Sequence, residues 1–202
     1  MFTGIVTDLG EVRSVRARAG DLQRVTIFCG YPRSEIVQGG SIACSGICLT
    51  VVDAGEENGR VWFAVDVAAE TLRVTTAATW RQGSKVNLER PVKFGDELGG
   101  HLVAGHVDGV ATVIAREDLT EMARLVLRAP AELARFIAPK GSVALDGVSL
   151  TVNAVEADTF SVLVIPHTLQ VTTFGAVRMG DGLNLEIDTM ARYAARLMEM
   201  QK

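Results

Sequence analysis

The chain has 202 residues, of which 48% are apolar, so it can bury the core of one or two domains. A net charge of −4 without a basic run argues against nucleic-acid binding, and no apolar stretch approaches the roughly 18–20 residues of a membrane-spanning helix. The first ten residues do not resemble a signal peptide, and three cysteines make an odd count, so we expect a reducing, cytoplasmic location.

The predicted elements are mainly short strands rich in Val, Ile, Leu and Thr, separated by Gly, Asp and Asn. Among them, in chain order, are QRVTIF, RVWFAVDV, SKVNLE, MARLVLRA, FSVLVI and DGLNLEI. About six such runs in each half predict a small closed barrel per half. Short helices are predicted at YPRSEIV and APAELARFI, since each has a proline near its first turn.

The last predicted element is an amphipathic helix over TMARYAARLMEMQK. Its apolar residues fall at helical spacing, and they are Met190, Tyr193, Ala194, Leu197 and Met198. A terminal helix with one apolar stripe needs a surface to pack against. Both the adjacent barrel and a neighbouring subunit are open as that surface.

The second half of the chain repeats the first. GSIACSGICLTVV (40–52) aligns with GSVALDGVSLTVN (141–153), and ETLRVTT (70–76) aligns with HTLQVTT (167–173). Matches that keep the same order across both halves indicate a duplication, and two copies are too few for a solenoid. The sequence therefore predicts two similar domains of about 100 residues each.

The strand around Cys48 carries polar groups on one face only. If residues 47–51 form a regular strand, its aliphatic side chains share one face, and Cys48 and Thr50 share the other. A free cysteine is usually a small buried hydrophobe, but its counterpart in the repeat is Ser149, followed by Thr151. We therefore expect a pocket-facing thiol. Zinc is not expected, because no second Cys/His pair stands at ligand spacing.

Six motifs together resemble the riboflavin synthase family, alpha chain: MFTGIV, GICLTV, DVAAETL, GGHLVAGHVDG, KGSVALDGVSLTVN and IPHTLQVTTF. The resemblance covers essentially the whole chain and implies an all-β fold of two tandem six-stranded Greek-key barrels with a C-terminal α-helix. We place the barrels at 1–97 and 98–188 and a trimerisation helix at 189–202. One departure is Ser45, where the family commonly has Asn; it puts one polar contact of the first barrel in question.

The resemblance also implies an activity. Two molecules of 6,7-dimethyl-8-ribityllumazine dismutate by transfer of a four-carbon unit, giving riboflavin and 5-amino-6-ribitylamino-2,4-pyrimidinedione, with no metal or redox cofactor. The family forms homotrimers with each active site between the first barrel of one subunit and the second barrel of a neighbour. An association with lumazine synthase is left open. The alternatives are a lumazine- or flavin-binding antenna protein without turnover and a trimeric scaffold.

Site residues are assigned by matching the family's motifs and by comparing the two halves. In the first pocket the resemblance places Phe2, Gly4, Ile5, Val6, Cys48, Leu49, Thr50, Asp66, Val67, Ala68, Ala69, Glu70 and Thr71. In the second it places Gly105, His106, Val107, Lys140, Ser149, Leu150, Thr151, Leu163, Val164, Ile165, Pro166, His167 and Thr168. The comparison of the halves adds Ser41 as a polar contact shared by both copies, and Asp146 as a position where they differ.

Four residues are candidates for the chemistry. His106 suits proton transfer near neutral pH, with a structural histidine as the alternative. Cys48 suits addition to an electron-poor ring, and Ser149 is its hydroxyl counterpart. Asp188 matches a carboxylate that the family uses for activity, although it could equally cap the last helix.

Two further polar residues have alternative roles. Lys140 could neutralise charge on the pyrimidine oxygens or be a solvated turn residue. His101 lies five residues before His106, so the two would point to opposite faces of a regular strand. We therefore expect His101 to be structural or interfacial.

Overall fold

Two closed six-stranded barrels follow one another in the computed structural model, which describes residues 1–200. The first has the order β1-β2-β5-β4-β3-β6, and the second has the order β10-β11-β8-β7-β12-β9. All pairings are antiparallel, with the crossovers of a Greek key, so the predicted fold is confirmed. The strands are β1 (Asp8–Arg18), β2 (Leu22–Cys29), β3 (Ser41–Cys44), β4 (Ile47–Glu57), β5 (Arg60–Val67), β6 (Lys85–Glu89), β7 (Gly109–Asp118), β8 (Ala123–Arg128), β9 (Ser142–Leu145), β10 (Val148–Glu156), β11 (Thr159–Val164) and β12 (Gly182–Ile187).

The helices in the described residues are α1 (Ala69–Val74), α2 (Ala131–Ala134), α3 (Pro166–Val171) and α4 (Thr189–Glu199). Two of these four helices, α2 and α4, lie where the sequence predicted them. The prediction at YPRSEIV was wrong, because only a 3-10 turn, Arg33–Glu35, forms there. Helices α1 and α3 are six residues long, too short to produce a helical periodicity in the sequence. None of the helices within residues 1–200 is long and apolar enough to span a bilayer.

The predicted strand parity holds at β4. Ile47, Leu49 and Val51 are at most 5% exposed and belong to the core of the first barrel. Cys48 is half-buried and Thr50 is exposed on the opposite face. The same alternation places apolar side chains from the strands of each barrel in its core, and this burial is the main source of stability.

The duplication extends to the irregularities of the strands. The register of β1 shifts between Val12 and Ser14, and that of β7 shifts at the equivalent place. Strands β4 and β10 also share a shift, between Val51 and Asp53 in the first barrel. Because a bulge bends its strand and increases the twist, these four positions allow each short sheet to close.

The barrels meet at two tight turns related by the internal repeat. Ser45 and Gly46 have φ values of 44° and 80°, and Asp146 and Gly147 have 44° and 79°, so both are hairpin turns with left-handed residues. A Cβ added to Gly46 would lie 2.7 Å from the backbone nitrogen of Gly147. Glycine is therefore required here for the barrels to approach this closely.

Two buried asparagines join the barrels across this seam. Asn184 donates from Nδ2 to the carbonyl of Ser45 at 2.8 Å and accepts from the amide of Thr76 at 2.7 Å. Asn87 makes the reciprocal contacts, with the carbonyl of Asp146 and the amide of Thr173. The side chains satisfy backbone groups that would otherwise be buried without partners.

Ser45 makes the polar contact that was in question because the family commonly has asparagine at this position. Its Oγ accepts from the amide of Asn87 at 3.3 Å, whereas Oδ1 of Asp146 accepts from the amide of Asn184 at 2.8 Å. The first barrel therefore retains this contact in a longer form.

Replacing Asn184 with alanine should lower the free energy of unfolding by about 2–4 kcal/mol, because two buried backbone groups lose their partners. Urea denaturation measures the change. Asn153, an exposed asparagine of the same barrel, provides the matched control; its replacement by alanine should cost less than about 0.5 kcal/mol. Equal losses of unfolding free energy in the two variants would contradict the stabilising role of Asn184 between the barrels.

Candidate active site

The site at Cys48 combines strand β4 of the first barrel with a loop from the second half. The amide of Cys48 donates to the carbonyl of Gly105 at 2.8 Å. Gly105 has a φ of +79°, and a Cβ there would lie 2.6 Å from Cβ of Cys48. Thr50 is paired across the strands with Ser41, and His106 is exposed on the loop. A thiol and two hydroxyls therefore share this face, and His106 lies on the loop that packs beside it.

The site at Ser149 has the same construction with the halves exchanged. The amide of Ser149 donates to the carbonyl of Gly4 at 2.8 Å. Gly4 has a φ of +77°, and a Cβ there would lie 2.6 Å from Cβ of Ser149. Thr151 is paired with Ser142, as Thr50 is with Ser41 in the first barrel. The protein therefore contains two sites of one design.

The loops that complete the two sites are exchanged relative to the sequence-based assignment. That assignment grouped residues 2–6 with Cys48 and residues 105–107 with Ser149. The structure instead packs Gly4 against Ser149 and Gly105 against Cys48, while Phe2 packs with Cys48 as assigned. Each loop precedes the first strand of its own barrel but packs on the other barrel, and the loops cross at a two-way bridge between Phe2 and Val103, with N···O distances of 2.8 and 3.1 Å. The order of motifs along the chain contains no signal of this crossing.

Two buried glutamates hold the loops in place. Glu186 accepts from the amides of Ala104, Gly105 and His106 at 2.7, 2.9 and 3.0 Å. Glu89 accepts from the amides of residues 3 and 4 and from the hydroxyl of residue 3. Burial raises the pKa of both carboxyls, and the amide hydrogen bonds oppose this. The motif assignment missed these residues, although the repeat aligns them with each other.

The structure gives His101 a more direct place in the site than expected. Its Nδ1 lies 2.7 Å from Oγ of Ser149. The expectation of a structural or interfacial role assumed a regular strand, but residues 101–108 form a loop with a single bridge, and Gly105 has a positive φ. Burial lowers the pKa of His101, and the carboxylate of Asp188 opposes this shift. The imidazole is therefore neutral at neutral pH and can accept a proton.

The other ring nitrogen of His101 is available to a bound molecule. Within residues 1–200, Nε2 of His101 is buried and has no hydrogen-bond partner. A buried polar atom without a partner is costly, so such a group commonly meets water or a ligand. The pair formed by His101 and Ser149 is therefore a candidate for binding a substrate and removing a proton from it.

Asp188 caps the last helix, which is one of the two roles considered from the sequence. Its Oδ1 accepts from the amide of Met190 at 2.8 Å, which caps the N-terminus of α4. The same carboxylate acts electrostatically on His101. Asp188 therefore links the last helix to the histidine of the site.

Asp66 lies at the end of β5 and is held by Arg24, a residue that the motif assignment missed. Nε and Nη2 of Arg24 donate to the two carboxylate oxygens at 2.8 and 2.7 Å. The hydrogen bonds from Arg24 hold the pKa of Asp66 below its usual range. Asp66 therefore offers a fixed, ionised carboxylate just before helix α1.

Two predicted contact residues lie in turns. Lys140 is exposed and has a φ of 66°, at the place where the first half has Gly39 with a φ of 81°. Asp146 is buried in the seam between the barrels, where burial raises its pKa to about 7. Since its carboxylate accepts from the amide of Asn184, the structure gives Asp146 a structural role and does not support the predicted substrate contact.

Exposed apolar side chains also lie among the predicted contact residues of the second barrel. Leu163 and Ile165, at the end of β11, are 38% and 53% exposed, and Ile5 on the crossing loop is 45% exposed. Apolar groups of this kind beside a few polar ones are typical of a small-molecule site. The polar groups then fix the orientation of the bound molecule.

Known proteins with the same repeats cover nearly the entire chain. The lumazine binding domain family model matches it twice, at residues 3–91 and 104–188. The chain is 54% identical to "Riboflavin synthase" of Brucella abortus (strain 2308), over 100% of both chains. It is 37% identical to "Riboflavin synthase" of Bacillus subtilis (strain 168), over 98% of this chain and 90% of that one.

Solved structures agree with the fold. LumP complexed with riboflavin superposes with a TM-score of 0.81 at 26% identity, covering 93% of this chain and 99% of LumP. The double match of the family model and the full-length identity are sufficient to assign the family. The chain belongs to the lumazine-binding family, alongside the bacterial riboflavin synthases.

Proposed function

We propose that this protein is a riboflavin synthase, a transferase that converts two molecules of 6,7-dimethyl-8-ribityllumazine into riboflavin and 5-amino-6-ribitylamino-2,4-pyrimidinedione. The observation that carries the proposal is the presence of two sites of one design with different reactive groups. Two identical substrate molecules require two similar sites. The transfer of a four-carbon unit from one to the other requires the sites to act differently.

The second site supplies the base. The 7-methyl group of the lumazine is acidic, and the neutral imidazole of His101 can take its proton through the hydroxyl of Ser149, 2.7 Å away. Burial of the imidazole keeps its pKa low enough for it to be unprotonated at neutral pH. The negative charge of Asp188 stabilises the imidazolium that then forms.

The first site supplies the nucleophile. C7 of the second lumazine is electron-poor, so the thiol of Cys48, as thiolate, or a water molecule can add to it. We assign the proton transfer of this step to His106, which is exposed on the loop that contacts Cys48. Thr50 and Ser41 have hydroxyls for the ribityl or pyrimidine oxygens, as do Thr151 and Ser142 in the second site.

Assembly as a homotrimer would complete the sites. The apolar stripe of α4 is exposed, with Met190, Tyr193, Leu197 and Met198 each 63–74% exposed. Packing of α4 on its own barrel, one of the two options, does not cover this stripe. A second copy of the chain is the partner we infer, with the first site of one subunit facing the second site of its neighbour.

A non-catalytic antenna protein is the second candidate, favoured by the superposition on LumP complexed with riboflavin. Such a protein needs a single working site to hold its ligand. Here both sites retain their hydroxyl pairs, and Cys48, His106 and the His101–Ser149 pair are all present. These groups favour catalysis.

Incubation of the purified protein with 6,7-dimethyl-8-ribityllumazine distinguishes the candidates. We expect multiple turnovers, measured by riboflavin absorbance, with one riboflavin formed for two lumazines consumed. A spectral shift that saturates at the protein concentration, without riboflavin, would support the antenna. An unchanged spectrum would contradict both candidates and support a trimeric scaffold without ligand binding.

A further inference from the structure

We propose that the ion pair between Asp108 and Arg192 positions the loop over Cys48, so that the placement of helix α4 controls the first site. The inference rests on the proposed function and adds two positioning residues to it. Asp108 lies in the motif GGHLVAGHVDG, but neither Asp108 nor Arg192 was assigned a role in the site.

The ion pair connects α4 directly to the loop that covers Cys48. Nη2 of Arg192, in the first turn of α4, lies 2.6 Å from Oδ1 of Asp108. Oδ2 of Asp108 accepts from the amide of Ile187 at 2.9 Å, and its own amide donates to the carbonyl of Leu185. The side chain of Asp108 is 10% exposed, so the carboxylate is largely shielded from water. Both carboxylate oxygens of Asp108 thus accept hydrogen bonds from the segment that runs from β12 into α4.

Asp108 stands two residues after His106, in the loop whose Gly105 accepts from the amide of Cys48 at 2.8 Å. Glu186 holds the same loop from the other side through three amides. The loop is therefore fixed at both ends by the stretch from β12 to α4. A shift of α4 would move the loop relative to Cys48.

The internal repeat provides the contrast. Thr7 occupies the place of Asp108 in the first half, and its hydroxyl lies 2.7 Å from the hydroxyl of Tyr31. At this position the loop over Ser149 is thus held within the first barrel by a contact between two neutral hydroxyls. The loop over Cys48 instead depends on a charged contact with the helix that we assign to assembly.

Loss of Arg192 would leave the carboxylate of Asp108 close to Glu186 without its positively charged partner. The carboxylate of Asp108 contributes to the raised pKa of Glu186, so the two groups already repel each other. Without the guanidinium, this repulsion acts on a shielded carboxylate that has lost its partner. We expect the loop to loosen, with the first site affected more than the second.

The test compares Arg192→Gln with Arg135→Gln. Arg135 forms the other ion pair between α4 and the second barrel, with Glu199 at 2.7 Å, but it is exposed and far along the helix from the loop. Arg192→Gln should lower kcat/KM about tenfold by misplacing the loop, and Arg192→Lys should recover part of the loss. Arg135→Gln should leave kcat/KM and the oligomeric state unchanged.

Hydrogen exchange provides a measurement that does not depend on turnover. The amides of Cys48 and Ser149 report on the two loops, because they bond to Gly105 and Gly4 respectively. In Arg192→Gln, exchange should accelerate at Cys48 and stay unchanged at Ser149, with no change in mass by light scattering.

The outcomes separate the two proposals. Equal acceleration at both amides, or a loss of activity that only follows loss of the oligomer, would overturn the positioning role. Faster exchange at Cys48 alone would support the positioning role even if the wild-type protein did not convert lumazine, a result that would overturn the proposed function and not this inference.

Discussion

Replacing His101 with alanine should lower kcat about 100-fold or more while changing KM little. General base catalysis by a placed imidazole contributes roughly 10²–10⁴-fold. Nδ1 of His101 lies 2.7 Å from Oγ of Ser149, so the variant removes the proton acceptor and leaves the hydroxyl in place. Steady-state kinetics with 6,7-dimethyl-8-ribityllumazine measures the effect.

The variant His101→Asn separates catalysis from structure. Asparagine can keep a hydrogen bond to Ser149 but cannot act as a base near neutral pH. If His101 only positions Ser149, His101→Asn should retain most of the activity. If it is the base, both variants should be equally impaired while their melting temperatures stay close to that of the wild type.

The pH dependence tests the same assignment. The pKa of His101 lies below its ordinary value of 6.5 because of burial, and the carboxylate of Asp188 pulls it upwards. Protonation of His101 at acid pH removes the base, so kcat/KM should fall there.

The variant Asp188→Asn removes the negative charge, which lowers the pKa of His101 further and moves the acid limb of the kcat/KM profile to lower pH. Asparagine also caps helices well, so α4 should persist. An acid limb that moved to higher pH would contradict the assignment.

The features predicted correctly are those that depend on local pattern and on the repeat. The alternation of apolar residues around Cys48 gave the inner and outer faces of β4, and the internal match placed Ser149 on the equivalent face. Six strands per half followed from the spacing of turn residues. Such features need only the period of a strand and the order of the motifs.

The features that escaped prediction depend on contacts between distant segments. Glycines 4 and 105 place each loop on the opposite barrel, a crossing that motif order does not encode. His101 was set aside because a regular strand was assumed where the chain forms a loop. Asp146 was assigned to the substrate because the halves differ there, whereas its place is in the seam. A difference between repeats can thus reflect packing as well as chemistry.

Deleting residues 190–202 should convert the protein to monomers and reduce kcat about 100-fold or more, since a site shared between subunits cannot form in a single chain. Part of the deleted segment, residues 201–202, lies outside the described residues. Light scattering should change from three times the chain mass of 21.6 kDa to the chain mass itself. A fully active monomer would exclude a shared site.

A point variant on the helix makes the result specific to the apolar stripe. Leu197→Glu places a charge on the stripe and leaves the ion pairs of Arg192 and Arg135 intact. Arg196, which is 69% exposed, provides the matched position, and Arg196→Gln should change neither mass nor activity. Loss of the oligomer in both variants would point to unfolding of α4 rather than to loss of an interface.

Mixing two inactive variants tests where the shared site lies. Cys48→Ala impairs the first site of its chain, and His101→Ala impairs the second site of its chain. If each active site joins the first barrel of one subunit to the second barrel of a neighbour, mixed oligomers contain intact pairs of sites, and activity should return after joint refolding. If both sites of one chain act together, every pair carries one defect and the mixture should stay inactive. Recovery would therefore support a site in which the faces of Cys48 and Ser149 meet across the interface that we infer at α4.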